Sequence, residues 1–161
     1  MSRIGSGEGF EGLRDRSNES GLRLVNSAEI ANRMGIASGE LILEVGVDED
    51  CDLDLRQAIE TASGSTLLGA DSDEVVDAVL LWYRDGDGDL VDELMDALTY
   101  LSESGPIWLL TPKVGQEGHV EAADIQDAAP TAGLTQTVSF LASANWSATR
   151  LVARKSNPSK K

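Results

Sequence analysis

The chain has 161 residues, 41% of them hydrophobic and 4% aromatic, enough for one ordinary core and too few for two full domains. Its formal charge of −15 is unevenly spread: residues 34–149 carry Arg56, Arg84 and Lys113 against 23 Asp and Glu, a balance of 3 − 23 = −20. A field of that sign argues against nucleic-acid binding by the body of the protein, and no apolar stretch approaches the roughly 18 residues of a membrane span.

Residues 1–20, rich in Gly, Ser and charge, are expected to form a disordered tail, residues 21–155 one domain, and residues 156–161 a basic C-terminal tail. NSAEIANRMG predicts a short helix, with Asn26 as N-cap, Glu29 closing a capping box and Gly35 as the stop. LILEVGV follows as a strand, and DLDLRQAIETASG as a helix capped near Asp52 and ended by Gly64. A brief strand is expected around Thr66 to Leu68. VVDAVLLWYR, residues 75–84, is β-branched and almost wholly apolar, as a strand covered on both faces must be.

DLVDELMDALTYLSESG sets Leu90, Leu94, Leu98 and Leu101 on one stripe, with its end marked by Gly105. PIWLLTPK reads as another buried strand and EAADIQDAAPTAG as a helix interrupted at Pro130. TVSFLAS and ATRLVARK are two closing strands around Asn145 and Trp146. This alternation predicts a Rossmann-like three-layer α/β fold, with a mainly parallel sheet and a C-terminal antiparallel hairpin.

Chemistry is sparse in this pattern. LILEVGVDED has the branched apolar run, the acid and the glycine with which a cofactor-binding first strand ends, but Val47 and Asp48 stand where further loop glycines belong. Side chains there fill the space of a cofactor, and the acids repel a pyrophosphate, so the strand end predicts a capped structural turn. In RDGDGDLVDELMD, Asp85, Asp87, Asp89 and Asp96 match positions 1, 3, 5 and 12 of a calcium loop, but the sixth is Leu90 and not Gly. Asp89 is better explained as a helix N-cap. His119 is the only histidine and reads as a solvated loop residue, with no second His or Cys to complete a zinc set. The single Cys51 forms no internal disulfide, and its acidic neighbours discourage the thiolate. Lys113 follows a strand, where open α/β sheets place ligands, and is expected to snorkel and pair with a neighbouring acid, or else to hold an anion.

NWSATRLVARK, VVDAVLLWYRDGDGDLVDELMDAL and PIWLLTPK together resemble an actinobacterial family of small acidic proteins known as a domain of unknown function, over roughly residues 20–155. The order of elements also resembles that of Rossmann-like methyltransferases, without their glycine loop. The resemblance to the family implies no activity.

The expected function is therefore a non-catalytic regulatory or protein-interaction module of the cytoplasm, without cofactor, metal, nucleic-acid or membrane partner. Its partner is expected to be a protein, and the acidic body suits a basic one. The alternative is a small-molecule enzyme or sensor with a pocket above the strand ends. Glu44, Asp48, Asp85, Asp87, Thr111 and Lys113 are the candidate residues there, and Trp146 and Arg150 are candidates for touching a partner.

Overall fold

The structure, a computed structural model, describes residues 27–102 and 105–153. The expected tails at 1–20 and 156–161 lie outside the described residues, as does the expected cap Asn26. In chain order the elements are α1 (Ser27–Arg33), β1 (Ile42–Val45), α2 (Leu53–Ser63), β2 (Ala78–Trp82), α3 (Leu90–Leu98), β3 (Pro106–Pro112), α4 (Ala122–Thr131), β4 (Leu134–Leu141) and β5 (Trp146–Ala153). They form one five-stranded sheet in the order β1-β2-β3-β5-β4. The first three strands run parallel, and β5 lies antiparallel between β3 and β4. The expected α/β fold with its closing hairpin is thus the one observed.

Every residue of β2 is buried, because helices cover both faces of the sheet. Val79, Leu81 and Tyr83 pack with Leu90 and Leu94 of α3 and Ile125 of α4. Ala78, Leu80 and Trp82, alternating with them, pack on the other face with Ile30 of α1 and with Leu55 and Ile59 of α2. Asp52 caps α2 by accepting from the Leu55 N–H at 2.8 Å, and Gly64 ends it in the left-handed conformation. Asp89 caps α3 by accepting from the Val91 N–H at 2.8 Å.

The segment expected as a brief strand makes a single parallel bridge, Leu68 to Leu43, with the Leu68 N–H donating to Ile42 O and the Glu44 N–H donating to Leu68 O. From β1 the chain therefore passes through α2 to one side of β1 and then crosses to β2 on its other side. A reversal of this kind opens a crevice at the strand's carboxyl end, where doubly wound sheets take ligands.

Two helix boundaries differ from expectation. Helix α3 stops at Leu98, not at Gly105, because the chain turns there to pair along the start of β2: the Val76 N–H donates to Tyr100 O and the Ser102 N–H to Val76 O, both at 2.9 Å. Gly105 serves a close approach instead, since a Cβ on it would overlap the Asp77 carbonyl oxygen. Helix α4 runs through Pro130 to Thr131, as a proline so near the end removes one helical N–H without unwinding the turns before it. Among the described residues no helix is long and apolar enough to cross a membrane.

Candidate functional site

The crevice above β1 and β2 is organised by arginines. Glu44 is the last fully buried residue of β1, 5% exposed, and faces α2. The Arg56 guanidinium meets it in a two-pronged pair, Nε to Oε2 and Nη2 to Oε1, both at 2.7 Å, and the Trp82 indole N–H donates to Oε2 at 3.1 Å. The carboxylate raises the affinity of Arg56 for its proton, the paired hydrogen bond outweighing burial. A buried acid at this strand end is thus held by donors from α2 and β2.

One step further along the chain, Gly46 has φ 81°, and a Cβ there would overlap the Trp82 carbonyl oxygen. Glycine lets β1 pass close to β2 before turning to α2. Above that contact lies Arg84, just past the end of β2. Its Nε and Nη2 donate to Asp50 at 2.9 and 2.6 Å, and its Nη1 donates to Gly46 O at 2.9 Å and to Asp87 Oδ2 at 3.2 Å. The guanidinium lies 5.2 Å from the Trp146 ring centre, and the Trp146 indole N–H donates to Asp50 O at 3.1 Å. Arg84 thereby ties the β1–α2 loop, the end of β2, the acidic turn before α3 and the start of β5 into one clamp. Asp50 is held below the usual carboxylate range, first by the hydrogen bond from Arg84, and Arg84 is held well above the usual range for arginine by the same bond.

Beside the clamp an open cleft of about 440 Å³ remains, lined by Asp48, Asp85, Glu117, Asn145 and Trp146 together with Arg84 and Asp50. Its rim is acidic, and its one guanidinium is committed to carboxylates. Cys51 lies beneath it, buried, accepting from the Asp48 N–H at 3.3 Å. Burial pushes its thiol up; the Asp50 charge adds a smaller push, and Arg84 pulls the other way. The thiolate is thus disfavoured mainly by burial and less by the adjoining acid.

Of the residues singled out by sequence, Asp48, Asp85 and Trp146 line the cleft. Asp87 serves the clamp, and Glu44 lies below it, closed off by Arg56 and Trp82. Thr111 is buried within β3, 2% exposed, and Lys113 donates its backbone N–H to Asn145 O and forms no ion pair among the described residues, so the expected pairing with an acid is not seen. Trp146 is not a surface residue of the hairpin turn: it opens β5, is 3% exposed and packs edge-on against Trp82 at 4.9 Å. Arg150 is not at this end of the sheet at all, because β5 runs antiparallel and carries it opposite Trp108, near the start of β3. His119 lies in a loop, half-buried, its Nδ1 3.0 Å from Pro112 O. Sequence reading missed Arg84 and Asp50 as partners. The available signal was a cation directly after a wholly apolar strand, in a region with 3 cations, facing the run DED.

Comparison with solved structures gives the same fold. A SAM-dependent methyltransferase from Aquifex aeolicus superposes with a TM-score of 0.58 at 11% identity, covering 85% of this chain and 94% of that one. The dimethyltransferase RosA from Streptomyces davawensis superposes with a TM-score of 0.59 at 11% identity, over 79% of this chain and 53% of that one. At the level of sequence, the uncharacterized protein Rv2239c of Mycobacterium tuberculosis is 56% identical over 136 residues, covering 84% of this chain and 85% of the relative. The family model described as protein of unknown function (DUF3052) matches residues 31–155, and the chain belongs to that family.

Proposed function

We propose that the protein is a non-catalytic regulatory or protein-interaction module, built on a methyltransferase-like fold whose cofactor crevice has been given over to a structural clamp. The observation that supports this reading is Arg84, held at 2.6–2.9 Å by Asp50 and Gly46 O across the carboxyl ends of β1 and β2. A cofactor with its own carboxylate or phosphate needs free N–H donors at that point, and here it meets a guanidinium already neutralised and a rim of Asp48, Asp85 and Glu117. The residues of the crevice therefore do not fit adenosylmethionine or a dinucleotide. On this reading the protein acts in the cytoplasm and its partner presents basic groups, which the acidic body attracts and steers.

Titration calorimetry of the full chain with adenosylmethionine and with NAD tests the reading. No saturable heat is expected from either. A dissociation constant near 1 μM, about −8 kcal/mol of binding, would overturn it. A second reading, a sensor of a small cationic molecule, draws on the cleft of about 440 Å³ that the clamp leaves open.

A further inference from the structure

The opposite end of the sheet holds a second cleft, of about 380 Å³, lined by Arg33 at the end of α1, Arg150 of β5 and Trp108 of β3. In this acidic chain the other two arginines of the described residues, Arg56 and Arg84, are both bound to carboxylates. Arg33 and Arg150 are not: among the described residues neither has an ion-pair partner. Both line this one cleft. Arg33 stacks over the Phe140 ring at 4.2 Å, Phe140 pairs across the hairpin with Ala148, and Arg150 stands two residues on along the same face, opposite Val138. A contact with a ring face uses the charge of a guanidinium and not the directed hydrogen bonds of its N–H groups. Arg150 spends one donor, Nη1 to Thr137 Oγ1 at 3.3 Å.

A third donor is independent of the two charges. Trp108 is 1% exposed, and its indole Nε1 is a buried side-chain polar atom without a hydrogen-bond partner. A buried indole N–H is nearly always satisfied, and this one, on a ring that lines the cleft, lacks an acceptor. The two acids on the wall keep their charge, and each gives one oxygen to a backbone N–H. Asp77 Oδ2 accepts from the Leu41 N–H at 2.8 Å, and Glu40 Oε1 accepts from the Ala37 N–H at 3.0 Å. Met34, Ile36 and Pro106 supply apolar walls between these groups.

We propose that this cleft is a binding site for a small organic anion, whose carboxylate or phosphate is gripped by Arg33 and Arg150, whose oxygen takes the Trp108 N–H, and whose apolar body lies against Met34 and Ile36. Guanidinium pairs favour such oxyanions because their N–H groups match two oxygens at once. The site lies at the amino ends of β2 and β3, away from the crevice of the clamp, so it stands or falls separately from the reading above.

Calorimetry of the full chain with benzoate, phenyl phosphate and inorganic phosphate tests it, with tryptophan fluorescence as a second readout. Saturable binding of at least one of the two aromatic anions is expected, weakened tenfold or more in Arg33→Gln and in Arg150→Gln. Inorganic phosphate should bind more weakly than phenyl phosphate if the apolar wall contributes. Trp108→Phe keeps the ring and removes the donor, and should weaken binding several-fold in a protein that still melts cooperatively. Absence of saturation with all three anions up to about 10 mM, weaker than any useful site, would overturn the proposal. So would affinities unchanged in the Arg33→Gln, Arg150→Gln double variant.

Discussion

At the scale of the residue, the clearest commitment is the carboxylate of Glu44, 4% exposed in its side chain and matched by Arg56 at 2.7 Å. Removing one partner of such a pair leaves a charge without compensation, whereas removing both leaves only a polar gap. Arg56→Met is therefore expected to lower stability by about 2 to 3 kcal/mol in urea denaturation, and the double variant Glu44→Gln, Arg56→Met by distinctly less. Equal losses in the single and double variants would mean that the pair is merely adjacent. Glu44 was legible in the sequence as a notable acid at a strand end, but its partner was not. Arg56 sits twelve residues on, and only the packing of α2 on that face of the sheet turns it inward.

At the scale of the element, the helix starts were the most legible features, because a cap is a local chemical event. Asp52 and Asp89 each stand one residue before their helix and accept its free N–H groups, as their positions in the sequence imply. The ends were less legible. Helix α3 yields to a pairing with Val76, and that competition is between residues 25 apart in the chain, which no local signal encodes. Asp89→Ala should lower stability by ~1 kcal/mol through loss of the cap. With Asp87 bound to Arg84 and Asp89 to the helix start, two of the three acids of the DGDGD turn already hold protein donors. The melting temperature is accordingly expected to be the same in millimolar EDTA and in calcium, and a rise on adding calcium would show that the turn binds it.

At the scale of the whole molecule, charge opposes compaction. Residues 34–149 carry a balance of 3 − 23 = −20, and among the described residues the arginines paired with acids are Arg56, with Glu44, and Arg84, with Asp50 and Asp87. Self-repulsion of this kind is screened by salt. The melting temperature is expected to rise between about 0.01 M and 1 M sodium chloride, as the Debye length falls from about 30 Å to about 3 Å. A fall would mean that attractive pairs outweigh the repulsion. Acid acts on the clamp in the other direction. Because Arg84 lowers the pKa of Asp50, the stabilisation from that pair is present above the ordinary carboxylate range and is lost as pH falls through the lowered value. The fold class was legible because alternation of strand and helix is written in the order of the chain. The two clefts were not, since each assembles residues that the winding of the sheet brings together: 84 with 50 at one end, 33 with 150 at the other.

The clamp also bears on the order in which the protein folds. It joins positions 46, 50, 84, 87 and 146, so its closing waits until β1, β2 and β5 have met, and a contact that spans so much chain is slow to find. Local pieces such as the capped helices can form earlier, at little cost in loop closure. Stabilisation that arrives after the transition state holds the native state shut and does not hasten its formation. Asp50→Asn should accordingly unfold several-fold faster in stopped-flow denaturation while refolding within about twofold of the parent rate, which makes Arg84 a latch on the finished molecule and not a guide for the chain on its way there.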